Sequence, residues 1–186
     1  MIGENYPDDV NPWPRVSAII RGGGLTSGFM PDEFYLDRGQ KVHAACEFLD
    51  EGDLNRDDLD PALAGYVRAW ERFKDYYGVK VIAIEQRVWN PEHRYKGRLD
   101  RLVDATFGKA VLDLKCGWPM AGYGSQLAAY QNCLENPEGW LRVGAHLFPD
   151  GRFKISGYPK AGEPDSLDWE RFLGALDRCR EIGNKD

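Results

Sequence analysis

Apolar residues recur every three or four positions in some stretches of the chain and every second position in others, and the order of the two periods predicts a fold. From Asp37 to about Glu51, Val42, Ala45, Cys46 and Leu49 share one stripe, the spacing of a half-buried helix, and His43 lies beside that stripe. A second helix is predicted by Leu59, Leu63, Tyr66, Val67, Trp70, Phe73 and Tyr77, with Asp57 or Asp58 as its cap, Pro61 near its first turn and Gly78 as its stop. The period then changes. Val79 to Trp89, Arg94 to Val103 and Ala110 to Cys116 read as strands joined by Asn90-Pro91-Glu92-His93 and Phe107-Gly108-Lys109, an antiparallel meander. A loop with Gly117, Pro119, Gly122 and Gly124 leads into a helix from about Tyr123 to Leu134. Residues 140–158 read as a strand pair about Pro149-Asp150-Gly151, and a last helix from Asp165 or Ser166 carries Trp169, Phe172, Leu173, Leu176 and Ile182. This order predicts an α/β fold, a central mixed sheet flanked by helices.

Residues 1–30 read as an N-terminal extension rich in Pro, Gly, Asp and Asn, in which Val16 to Ile20 fits either a strand or a helical turn. Gly22-Gly23-Gly24 and Thr26-Ser27-Gly28 act as breakers. No Gly-Lys-Ser/Thr follows the triple glycine, so it is expected to be a flexible connector and not a phosphate loop. The 186 residues fit one domain, 1–186, able to bury roughly 70% of its unfolded surface, so a disulfide framework is not required. Composition is that of a soluble globular protein, without a run of about 18 apolar residues and without a signal-peptide pattern at the start; a cytoplasmic protein with no membrane partner is expected. Cys46, Cys116, Cys133 and Cys179 are scattered and form no Cys-x-x-Cys pair, which predicts reduced, buried thiols and neither a zinc knuckle nor an iron-sulfur cluster.

A net charge of −6 argues against coating nucleic acid by bulk electrostatics, but the charge is uneven. Residues 32–75 carry twelve acids against six Lys and Arg, whereas residues 85–115 carry seven Lys and Arg against five acids, so the centre is the part fit to meet a polyanion.

That centre holds Val111-Leu112-Asp113-Leu114-Lys115. In a strand, Asp113 and Lys115 share one face while Ala110, Leu112, Leu114 and Cys116 line the other, so one face is core and the other chemistry. Gly97-Arg98-Leu99-Asp100 supplies a second carboxylate, Glu85 a third within a β-rich run, and Gln126 and Tyr130 stand four apart on one side of a helix. Hydrolysing a phosphodiester needs an activated water and positive charge where the phosphorane gathers negative charge. Mg²⁺ and Mn²⁺ meet both needs with one or two carboxylates, which Asp100 and Asp113 on adjacent strands could supply, with the Leu114 carbonyl facing the same space and Lys115 beside it. Alone, an Asp-x-Lys triplet fits a surface ion pair equally well. Arg87, Arg94, Lys96, Arg98 and Arg101 read as solvated charges or as a groove tracking a phosphate backbone, and Trp89, Trp118 and Tyr123 as core aromatics or as stacking partners for an unpaired base.

Taken in order, Glu85, Gly97-Arg98-Leu99-Asp100, Leu112-Asp113-Leu114-Lys115 and Gln126-Leu127-Ala128-Ala129-Tyr130 resemble the motifs of the PD-(D/E)XK nucleases, in the RecB-like and phage-exonuclease branch. Arg38-Gly39-Gln40-Lys41-Val42-His43 resembles the upstream helical histidine of that branch, and the match spans about residues 38–132. The naming proline is replaced by Leu99, and the cysteine cluster of some members is absent. The resemblance implies a restriction-endonuclease-like core and a Mg²⁺- or Mn²⁺-dependent deoxyribonuclease, most of all an exonuclease of phage or bacterial recombination or repair, with a structure-selective endonuclease or junction resolvase and a silent DNA-binding module as alternatives. It implies His43, Asp100, Asp113 and Leu114 as metal ligands and Asp100, Asp113, Lys115, Glu85, Gln126 and Tyr130 as catalytic residues. DNA is the implied partner, with a single-strand-annealing or other recombination protein and a second copy of the chain as further candidates.

Overall fold

A computed structural model describes residues 1–26 and 33–183. Its core is a six-stranded mixed sheet with helices on both faces, α/β as the periodicities predict. The strands are β1 (Ile2–Gly3), β2 (Lys80–Asn90), β3 (Tyr95–Ala105), β4 (Gly108–Cys116), β5 (Leu141–Leu147) and β6 (Phe153–Tyr158), and they lie in the sheet in that order. Every neighbouring pair is antiparallel except β4 and β5. A parallel pair needs a crossover, and residues 117–140 supply it through α4 (Tyr123–Gln131).

The helices α1 (Val16–Gly22) and α5 (Leu167–Gly183) join α4 on one face, where Ile19, Leu99, Leu127, Tyr130 and Phe172 form a cluster. On the other face α2 (Glu33–Glu51) and α3 (Pro61–Tyr77) press Val42, Trp70 and Phe73 onto Val103, Leu112, Leu114 and Ala145. Both faces of β4 are therefore covered, and the side that carries Asp113 and Lys115 lies under α4 instead of opening to solvent.

Local chemistry sets the boundaries. The cap of α3 is Asp60, not Asp57 or Asp58: its Oδ1 accepts the Ala62 N–H at 2.9 Å, ahead of Pro61 in the first turn. Gly78 closes α3 in the left-handed conformation, φ 58°. Helix α4 ends three residues before the predicted Leu134, where the Asn132 side chain turns back to donate to the Ala128 carbonyl at 2.8 Å.

The N-terminal segment departs most from expectation. Val16 to Ile20 is helix, and the triple glycine is not a flexible connector at its first two positions: Gly22 ends α1, and a Cβ on Gly23 would overlap Ala175 of α5. The Met1 ammonium donates to the carbonyls of Trp89 and Cys133, tying β1 to the sheet edge. The predicted breaker at Ser27-Gly28 lies outside the described residues. All four cysteines are thiols, and burial pushes Cys46 and Cys133 up to about 12, so neither is a thiolate nucleophile at neutral pH.

Gly65 lies in α3, where alanine would by propensity stabilise the helix by about 1 kcal/mol. Here a Cβ would overlap the Pro149 carbonyl of the β5–β6 turn. Gly65→Ala is therefore expected to cost about 1–3 kcal/mol in urea unfolding, because overpacking outweighs propensity; a gain in stability would contradict this packing of α3 on the turn.

Candidate metal centre

The site is made where two strands part. Strands β3 and β4 pair from Ala105↔Gly108 to Arg101↔Leu112 and no further. Beyond that point the Leu114 N–H donates to Asp100 Oδ2 at 2.8 Å, so a side chain takes the place of a ladder carbonyl. The alternation of β3 breaks at the same place: Asp100 meets His43 and Arg101 meets Asp50, both on α2, although they are consecutive residues. Strict strand alternation would put them on opposite faces. On β2, Glu85 sits at φ 49°, a rare conformation for a residue with a side chain, and its carboxylate turns toward the same space.

Three groups converge there. His43 Nδ1 lies 3.4 Å from Asp100 Oδ2 and 3.9 Å from Glu85 Oε1, and one ligand atom from each of the three falls within 4.8 Å of the others. His43 Nε2 lies 2.9 Å from the Leu114 carbonyl oxygen, so Leu114 is also brought to the cluster. Nitrogen and carboxylate oxygen donors this close suit a divalent cation. On the other side of the β3–β4 gap the buried Asp113 is ion-paired with the partly buried Lys115. Lys115 Nζ also donates to Gln126 Oε1 at 3.2 Å, the Gln126 amide donates to Tyr130 Oη at 3.3 Å, and the Tyr123 ring centroid lies 4.3 Å from Nζ.

The glycine before Asp100 is explained by the same packing. A Cβ on Gly97 would come within 2.5 Å of the Tyr130 ring, so β3 admits α4 this close only because residue 97 has no side chain. Gly97 and Tyr130, two separate motifs in the sequence, are one contact.

Electrostatics follow from burial among acids. Burial opposes a charge on His43, but Asp100, Glu85 and Asp113 outweigh it and hold its pKa up at about 9. Burial and the neighbouring Asp100 push Asp113 up to about 7, although Lys115 works the other way. Burial likewise disfavours the Lys115 ammonium, yet Asp113 and Asp100 keep it charged, above the ordinary lysine value.

Of the cations read as solvated charges or as a phosphate groove, two are neither, being buried in the fold. Arg101 is fully buried: its Nε pairs with Asp50 at 2.9 Å, and Asp50 also accepts from Trp70 Nε1 at 2.9 Å and Lys74 Nζ at 2.6 Å. It belongs to no groove. Lys96 is buried as well, donating to the Asn11 carbonyl, while Arg87 donates to the Glu4 carbonyl. Of the five cations singled out on these strands, Arg98 alone lines the open cleft of about 660 Å³ above the cluster, with Arg38 on the α2 wall. Trp89 is 9% exposed and packs edge-on to Tyr6. Asp50 was missed because an acid on a helix carries no mark of burial; its place one turn after Cys46 on the apolar stripe was the available signal.

The chain matches no family model and no curated protein. The case for the site therefore rests on its geometry.

Two outcomes test that geometry. Removing one partner of a buried ion pair leaves the other charge uncompensated, so Asp50→Ala is expected to cost about 3–5 kcal/mol in urea unfolding; a loss below about 1 kcal/mol would show that Arg101 is not held as described. For the metal-free protein, a His pKa raised from 6.5 to about 9 gives stability that is present below 6.5 and lost as pH rises through about 9. An Asp pKa raised from 3.8 to about 7 likewise favours the protonated form, neutral in this case, and its stability is lost between those values. Both signs agree, and a divalent cation replaces the protons, so the rise in Tm produced by Mn²⁺ should grow from pH 6.5 to pH 9. A Mn²⁺ effect that shrinks with pH over that range would count against a site built on these groups.

Proposed function

We propose that this protein is a divalent-metal-dependent DNA nuclease with a restriction-endonuclease-like core, and that it acts on DNA ends as an exonuclease. The observation that carries this reading is the convergence of His43, Glu85 and Asp100 within 4.8 Å beside the ion pair of buried Asp113 with Lys115. The cluster lies on the floor of a cleft whose walls bear Arg38 and Arg98.

His43, Asp100 and Asp113, with the Leu114 carbonyl, would hold Mg²⁺ or Mn²⁺, and Glu85 offers a further carboxylate. Such a cation supplies an acidified water and a counter-charge for the phosphoryl oxygens. The remaining work falls to the chain. Lys115 is an ammonium, so it is suited to donate to a phosphate oxygen or to the attacking water and not to accept a proton. Gln126 and Tyr123 fix its position, and Tyr130, anchored against Gly97, fixes Gln126. Arg98 has the exposure to meet a backbone phosphate, while its guanidinium is steadied at 2.9 Å by Glu85.

The test is digestion of labelled linear DNA with Mg²⁺ or Mn²⁺ by the purified protein, alongside Lys115→Met and Asp113→Asn. Loss of one preorganised charge is expected to reduce the rate about 10²- to 10³-fold. Linear DNA left intact with both metals would overturn the nuclease reading, and equal cutting of closed circular DNA would replace the exonuclease with an endonuclease.

A further inference from the structure

We propose that Trp118 and Lys154 form a docking site for an unpaired nucleotide, so that the preferred substrate of the cleft is a single strand or a frayed end; this rests on the nuclease reading. Trp118 is 67% exposed, whereas Trp89 is 9% exposed and Trp70 is wholly buried. Its place is fixed from several sides. The Gly117 N–H donates to the Leu147 carbonyl at 3.0 Å, and the Gly117 carbonyl lies 2.9 Å from Nδ1 of the buried His146, so the turn leaves β4 from a pinned backbone. The Phe148 ring meets the indole edge-on, with centroids 5.2 Å apart. Lys154 Nζ stands 5.0 Å from the indole centroid.

Lys154 is a surface cation turned to an aromatic ring, as Lys109 is to Trp140, but here the ring itself is exposed. Arg152 beside it is paired with Asp150 at 2.6 Å, and Lys41 with Asp37 at 2.7 Å. Among the described residues no carboxylate pairs with Lys154, and its recorded neighbour is the aromatic ring. An exposed indole with an ammonium over its ring is a combination that can stack a base and hold its phosphate, the mobile lysine giving way to the base, and stacking is indifferent to sequence.

The sheet register ties this pair to the candidate centre. Lys115 on β4 is opposite His146 on β5, and His146 is opposite Lys154 on β6. Two strand spacings separate the backbones of Lys115 and Lys154, about 10 Å. Three residues of chain separate Lys115 from Trp118, at most about 11 Å. Met120, two residues past Trp118, lines the cleft itself. A strand with its scissile phosphate at Lys115 thus brings a base within a nucleotide or two to the indole. A base inside a duplex has both faces covered by its neighbours, so only an unpaired or terminal one can stack there.

Binding is measured by anisotropy of labelled oligothymidylate and of a labelled blunt hairpin duplex, in EDTA so that nothing is cut, with wild type, Trp118→Ala, Trp118→Phe and Lys154→Gln. Trp118→Ala is expected to weaken oligothymidylate binding about 5- to 100-fold with an unchanged Tm, while Trp118→Phe stays within about threefold of wild type. Lys154→Gln should flatten the salt dependence by about one phosphate contact. Duplex binding should change less than twofold in all three. Oligothymidylate bound equally well by Trp118→Ala, or single strand and duplex weakened alike, overturns the docking site even if Mn²⁺ supports cutting. Binding through Trp118 with no cutting in any metal leaves the docking site standing and removes the nuclease reading.

Discussion

One hydrogen bond sets the site: the Leu114 N–H given to the Asp100 carboxylate where the neighbouring strand would ordinarily accept it. A central strand with both faces covered has no free backbone groups to spare, and an unsatisfied buried N–H costs about 1–3 kcal/mol. The carboxylate meets that need at Leu114, where β3 and β4 separate beyond Arg101↔Leu112. Through the gap, His43 from one helical layer and Asp113 with Lys115 from beneath the other come to share one electrostatic environment.

Keeping that gap open requires both layers to be held. On one side the Asp50 carboxylate binds Arg101, Lys74 and Trp70 together, so α2, α3 and β3 are locked one residue away from Asp100. Arg101 Nη1 also donates to the Asp100 carbonyl at 2.8 Å. On the other side α4 reaches β3 over Gly97, and Tyr130, Gln126 and Lys115 form a line of side chains from the hydrophobic cluster to the acids. The site sets Asp100 beside Glu85 and beside Asp113, and like charges in a low-dielectric space are relieved by protons or by a cation. A raised His43 and a raised Asp113 are the proton form of that relief; a divalent ion is the other.

Much of this was legible in the residue pattern because the two periods are well separated. The long stripe of α3, the β2–β3–β4 meander and the strand pair about Pro149-Asp150-Gly151 follow from spacing and turn residues alone. The pairing of Asp113 with Lys115 follows from period two. What period two could not give is its own failure: a bulge between Val81 and Ala83, the left-handed Glu85 and the switch at Asp100–Arg101 each break the alternation. Those breaks turn Glu85 and Asp100 toward His43. Arg101 looked like surface charge because a buried ion pair needs a partner 51 residues away that no local window contains. Val16 to Ile20 was ambiguous for the opposite reason, being too short for either period to declare itself, and its packing against α5 decides it as helix.

The most direct measurement is pulsed electron paramagnetic resonance of Mn²⁺ bound to the purified protein. One tight Mn²⁺ per chain is expected, with a spectrum that carries coupling to a directly bound imidazole nitrogen, lost in His43→Ala and kept in His146→Ala. Mn²⁺ that shows no nitrogen coupling, or coupling that survives in His43→Ala, would contradict a metal centre in the gap between β3 and β4.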